Sequence, residues 1–205
     1  MKFKEGFKKF WHLLWEDDSM KGWIFSIIFL FIFIKFIFFP TLNFLTGSPL
    51  SLAIVESCSM YHKSDLNYNF GDWFNDHRLK YASIGINESQ FEEYKFKNGF
   101  NKGDILFTVK AVPEKLKIGD VIIFNAGQRN PVIHRIIKIE SENGSYTFST
   151  VGDNNNGQLT FERGIKEEQL IGKASFRLAP LLGWGKLIFY DWKKVPSERG
   201  FCSQN

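Results

Sequence analysis

From Gly22 to Leu45 the chain is almost wholly Ile, Phe and Leu, with Lys35 its single charge. A run of this length crosses a hydrocarbon core of ~30 Å as one helix, so a membrane anchor over 22–45 is the first expectation. A cleavable leader is the rival, but the run is too long for one and no small-residue cleavage site follows Pro40 cleanly. Cations near a span stay on the cytoplasmic side. Lys2, Lys4, Lys8, Lys9 and Lys21 all precede the run, whereas Phe36 to Met60 holds no Lys or Arg. Residues 1–21 are therefore expected in the cytoplasm, and everything after Leu45 on the external or lumenal face of a cell membrane crossed once.

Within 1–21, Phe3, Phe7, Phe10, Trp11 and Leu14 recur at helical spacing while lysines fill much of the rest. Such an amphipathic helix is expected to lie on the cytoplasmic leaflet, with lipid as its partner. Lys35 would cost roughly 2.5–3.5 kcal/mol at mid-bilayer. It either snorkels toward the outer face or meets a polar partner inside the membrane, such as a protein-translocation channel.

The remaining length, about 160 residues, suffices for one domain with its own core. The net charge of +4 is spread along the chain and gives no phosphate-tracking stripe, so nucleic acid is not an expected partner. The two cysteines, Cys58 and Cys202, make no disulfide framework; one falls in a candidate site and the other in a polar tail over 193–205. No Cys/His grouping has zinc-ligand spacing and no Gly-rich loop would cradle phosphate, so neither metal nor cofactor is expected. Asn87-Glu88-Ser89 and Asn143-Gly144-Ser145 match the short glycosylation sequon.

After the anchor, the apolar run Leu50 to Val55 delivers Ser57 and Ser59. β-rich runs follow at Ile105–Val109, Val121–Phe124, Val132–Ile139, Tyr146–Val151 and Leu170–Phe176. Gly-Asp pairs punctuate them at 103–104, 119–120 and 152–153. The external domain, 46–192, is thus expected to be mainly β, its close-set strands pairing antiparallel into coiled sheets or a partly closed barrel. Residues 61–100 change texture to charged and aromatic, with Trp73, Phe74, Tyr81, Phe91, Tyr94 and Phe96, and read as a partly helical insertion capping the surface. Leu178 to Trp192 is apolar but broken by Pro180, Gly183 and Gly185. It reads as a strand and an aromatic edge whose Trp184, Tyr190 and Trp192 favour a headgroup layer.

A serine hydroxyl needs a base within hydrogen-bond reach to act as a nucleophile near neutral pH, and an acid often steadies that base. The candidates are Ser59, His134 and Asp153. Among the four histidines, His134 lies in the apolar strand Pro131-Val132-Ile133-His134-Arg135-Ile136-Ile137, with Val132 and Ile136 on its own face. Such a histidine is either a satisfied core residue or a base in dry surroundings. His62, three residues after Ser59, is the fallback base. Asp153, in Thr150-Val151-Gly152-Asp153-Asn154-Asn155, is equally placed for an ordinary Asx turn.

Taken in order, Glu56-Ser57-Cys58-Ser59-Met60, Asn101-Lys102-Gly103-Asp104-Ile105-Leu106, Lys117-Ile118-Gly119-Asp120-Val121-Ile122-Ile123-Phe124, Pro131 to Arg135, Gly152 to Asn155 and Ile171-Gly172-Lys173 resemble the type I signal peptidases. The branch they resemble is the archaeal and endoplasmic-reticulum one, which uses histidine where bacterial relatives use lysine. The resemblance implies a membrane-anchored serine endopeptidase that removes signal peptides from secretory pre-proteins. It implies Ser59 as nucleophile and His134 as general base, then acid to the leaving amine. The backbone N–H of Ser59 and the hydroxyl of Ser57 would form the oxyanion hole. The substrate would lie extended along a sheet edge. Because Thr46 to Ser59 cannot stretch beyond ~50 Å, the nucleophile would stay near the bilayer, where a signal peptide's apolar core ends.

The chain departs from that family pattern twice. Cys58 stands where a glycine usually separates the two serines, which raises a thiol protease of Cys58 with His134. Leu159 stands where related enzymes often carry a second aspartate, six residues beyond the Gly-Asp one. Asp153 is the expected acid, Glu162 the reserve, and a dyad without either remains open. A reading from another class is a non-catalytic, membrane-tethered β domain serving as an accessory or scaffold subunit of a secretion complex.

Overall fold

The computed structural model describes residues 2–63 and 69–202. Residue 1, residues 64–68 of the expected insertion and residues 203–205 of the expected tail lie outside them. Two compact units divide the chain, Met1–Leu45 and Thr46–Asn205.

In the first unit the helix Lys2–Trp15 is followed by a continuous helical stretch, Met20–Thr46. Ser19 caps the second helix, its side chain accepting from the Gly22 N–H at 3.2 Å. The helix is long and apolar enough to cross a membrane. It widens into a π turn at Ile34–Phe38, just ahead of Pro40, which has no N–H to give and whose ring crowds the preceding turn. Lys35 sits in that turn with its ammonium over the Phe31 and Phe36 rings, at 5.7 and 5.3 Å. The first helix packs on the second: Phe10 meets Phe25 and Phe29 edge-on, and the Ser26 hydroxyl donates to the Leu14 carbonyl at 2.8 Å.

The second unit is built on one seven-stranded sheet. Its strands are β1 Leu52–Ile54, β2 Ile105–Val109, β3 Val121–Phe124, β4 Val132–Glu142, β5 Ser145–Val151, β6 Ile165–Lys166 and β7 Leu170–Ala179. They lie in the order β1-β2-β7-β3-β4-β5-β6, each antiparallel to its neighbours. The expected mainly β, antiparallel, partly closed architecture is what forms: a curled half-barrel. Register shifts in β2, β3 and β4 mark bulges, which add local twist and so help the sheet curl. Asn143-Gly144 turns β4 into β5 with positive φ at both residues, the conformation a two-residue hairpin turn requires. The two-residue strand β6 was not foreseen; it is too short to carry a periodic signal.

Alternation along β4 sorts the core. Ile136, Ile122, Phe124 and Phe148 share one cluster with Leu116 and Ile165. Ile137 and Val151 join Trp73, Phe74, Tyr81, Ile86 and Phe91 from the insertion. The insertion folds as the helices Phe70–Ala82 and Glu88–Glu92, each opened by an asparagine cap, Asn69 and Asn87. A third cluster lies beneath the serine loop: Val55, Met60, Phe100, Leu106, Val121, Ile123 and Ala174. Beyond Ala179 the expected strand does not continue; a short helix, Trp184–Leu187, and a 3-10 turn, Asp191–Lys193, follow.

Candidate active site

The short strand β1 runs into the loop Glu56 to Met60. Ser57 is exposed and Ser59 half-buried, and their hydroxyl oxygens stand 3.0 Å apart. The loop is pinned from below by the corner that follows β5. The Asn154 N–H donates to the Ser59 carbonyl at 2.8 Å, and the Asn154 side-chain amide to the Cys58 carbonyl at 3.1 Å. The Asp153 N–H points at the Met60 sulfur at 3.4 Å. Glycine is needed at 152 because a Cβ there would stand 2.9 Å from the Ser59 carbonyl oxygen and 2.6 Å from the Asn155 amide.

His134 stands on β4, opposite Ile122 of β3 and next to Arg135, which pairs with Val151 of β5. It is 4 % exposed. Its Nδ1 meets Oε1 of Glu162, a fully buried carboxylate in the 3-10 turn Thr160–Glu162. The second carboxylate oxygen of Glu162 accepts from the Leu159 N–H, so backbone fixes the acid that lies against the ring. β5 thus borders the histidine's strand and leads into the corner that holds Ser59; the same connection, further on, supplies Glu162.

Asp153 is engaged elsewhere. Neighbours on a strand point to opposite faces, so Arg135 projects away from the His134 side. There its Nη2 and Nε donate to Asp153 at 2.6 and 2.9 Å. Asp153 also accepts from the Tyr81 hydroxyl at 3.0 Å and meets His62 Nε2 at 2.9 Å. The acid expected against His134 therefore lies in a different network, and among the described contacts Glu162, the reserve, is the carboxylate on that ring. His62, the fallback base, is stacked on Trp73 at a centroid distance of 3.5 Å. Cys58 carries no free thiol: it is disulfide-bonded to Cys202. That removes the thiol nucleophile, and it corrects the expectation that the two cysteines make no disulfide framework: they form one bond, from the candidate site to the tail.

The electrostatics of the Asp153 network are those of a structural ion pair. Burial pushes its carboxyl up, but the Arg135 charge and hydrogen bonds from His62 and Arg135 outweigh that and hold it far below the usual carboxylate range. Burial lowers the His62 imidazole, against the pull of Asp153. Burial also brings the Lys80 ammonium down to about 8, again against Asp153. Lys80 reaches from the insertion helix to the Asp153 and Asn155 carbonyls, at 2.5 and 3.0 Å. Arg135 further ties the insertion to the sheet by donating to the Lys95 and Phe96 carbonyls, and it donates to the Gly119 carbonyl ahead of β3, each at 2.9 Å. One signal for this network was present in the sequence: a guanidinium inside an apolar strand demands a carboxylate partner. For Lys80 and Tyr81 there was none.

No protein-family model matches the sequence. The chain is 30% identical over 102 residues to the signal peptidase complex catalytic subunit SEC11C of Homo sapiens, covering 46% of this chain and 53% of that one. SEC11C of Mus musculus matches to the same extent. The signal peptidase complex catalytic subunit sec11 of Dictyostelium discoideum is 29% identical over 103 residues, 47% of this chain and 56% of that one. The chain spans about half the length of these curated relatives. By that likeness it is a distant homologue of signal peptidase catalytic subunits.

Proposed function

We propose that this chain is a membrane-anchored serine endopeptidase that removes signal peptides from secretory pre-proteins. In this reading Ser59 attacks the scissile carbonyl and His134 takes its proton. Glu162, rather than Asp153, holds the His134 ring and stabilises the imidazolium as it forms. The tetrahedral oxyanion is met by the Ser59 N–H and the Ser57 hydroxyl, a role that the 3.0 Å contact between the two hydroxyl oxygens supports. His134 then protonates the leaving amine, and water repeats the sequence to free the acyl-enzyme. The pre-protein docks as an added strand beside β1, which ends the sheet and leads directly to Ser57 and Ser59.

The observation that carries this reading is the buried His134–Glu162 pair, set on a strand whose neighbour leads to the corner holding Ser59. The distant homology to signal peptidase catalytic subunits supports the substrate class. In this reading 1–21 lies in the cytoplasm, 22–45 crosses the membrane and 46–192 with the tail 193–205 lies outside, an orientation that the charge bias supports. Incubating detergent-purified protein with a secretory pre-protein tests it. Cleavage at the signal-peptide junction that vanishes in Ser59→Ala supports the assignment, and cleavage that survives in Ser59→Ala refutes it.

A further inference from the structure

The segment 191–202 takes in most of the stretch read from sequence as a polar tail, 193–205, yet it is built onto the serine loop. Its organising group is Lys102, which is 1 % exposed. The Lys102 ammonium meets Asp191 Oδ1 at 2.5 Å and donates to the Glu198 and Gly200 carbonyls at 2.7 and 3.0 Å. The other Asp191 oxygen accepts from the Gly200 N–H at 2.7 Å, closing the segment on itself. Phe201 then packs on Trp184, with ring centroids 4.7 Å apart, and Cys202 reaches Cys58. A second tie comes from Lys194, whose ammonium donates to the Glu56 carbonyl. The loop is thus gripped at Glu56 and Cys58 from one side, and at Cys58 and Ser59 from the Asn154 side.

A buried ammonium that spends its hydrogen bonds on one short segment fixes that segment tightly, because any unmade bond would leave the charge uncompensated. Cys58 lies between the two serines whose hydroxyls touch, so whatever holds Cys58 also sets the backbone of both. We propose that the segment 191–202 positions the nucleophile loop, with Cys202 as a positioning residue acting through Cys58, and that breaking this one covalent bond releases the loop. The inference rests on Ser59 as the nucleophile. Release is a two-electron reduction: a dithiol reductant transfers two electrons and two protons, the S–S bond becomes two thiols, and the reductant leaves as its own disulfide.

The test uses the full chain in detergent, oxidised, reduced with a dithiol, and as Cys202→Ser. The first readout is hydrogen exchange at the Tyr61 and Asn154 amides, which donate to the Cys58 and Ser59 carbonyls. Once the bond is broken, both amides should exchange about tenfold faster or more while the β3 amides keep their protection. Unchanged protection at Tyr61 and Asn154 overturns the proposal, and so does an equal loss in β3, which would mean that the bond only stabilises the domain. The second readout is pre-protein cleavage: kcat should fall about tenfold or more with KM nearly unchanged, and reoxidation should restore the wild-type rate but not that of Cys202→Ser. Equal kcat in oxidised and reduced enzyme overturns the proposal. An oxidised enzyme with no Ser59-dependent cleavage overturns the protease reading, and with it the nucleophile role of the loop; the exchange readout then decides only whether the bond holds the loop.

Discussion

Glu162 and Asp153 are both fully buried carboxylates, and their partners separate their roles. Glu162 meets an imidazole and a backbone N–H; Asp153 meets a guanidinium, an imidazole and a phenol. Replacing Glu162 with Gln should keep the shape but spoil the ring's orientation and charge stabilisation, lowering kcat about 10²- to 10⁴-fold with little change in Tm. Asp153→Asn should act on stability, costing about 3–5 kcal/mol because the Arg135 charge stays buried without its partner. Denaturation curves of the two variants beside their kinetics check both. The pH dependence follows from the same pair. The folded carboxyl of Asp153 is depressed, so its contribution is present above the ordinary carboxylate range, near ~4, and is lost as pH falls below it. Wild-type stability should therefore drop steeply below about pH 4, and Asp153→Asn should flatten that drop.

At the scale of elements, β4 and the corner after β5 carry the account. Strand alternation made His134 and its apolar face legible in the sequence, and the Gly-Asp turns at 103–104 and 119–120 marked where β2 and β3 begin. In both turns the aspartate accepts a backbone N–H three residues back, from Asn101 and Lys117. What stayed illegible were the tertiary choices. The Gly152-Asp153 motif drew the acid role to Asp153, although Arg135 on the opposite face of β4 claims that carboxylate. The pairing of Cys58 with Cys202 joins residues 144 apart in sequence, a separation no local pattern reports. The close approach at Gly152 gives a direct check on how the corner serves the loop. Gly152→Ala should push the Ser59 carbonyl and lower kcat about tenfold to a hundredfold, with substrate affinity largely kept, in steady-state kinetics on a pre-protein. The insertion should prove a packed cap: Trp73, fully buried among Phe74, Tyr81 and Phe91, should cost about 3–5 kcal/mol when cut to alanine, measured by denaturant unfolding.

For the whole molecule, the helix Met20–Thr46 and the curled sheet answer to different solvents. The helix exposes its Ile and Phe side chains, as a segment bathed in lipid does, whereas the sheet unit buries three apolar clusters of its own. A chain starting at Thr46 should accordingly fold, keeping its β-rich circular dichroism and a cooperative melt. If Ser59 and His134 act as one catalytic unit, as proposed, turnover of a pre-protein by Ser59→Ala, His134→Ala and the double variant should show it. Each single change should lower kcat by about 10⁴-fold or more, and the double variant should be no worse than either. Losses that multiply in the double variant, or a single variant that keeps near wild-type turnover, would contradict the proposal.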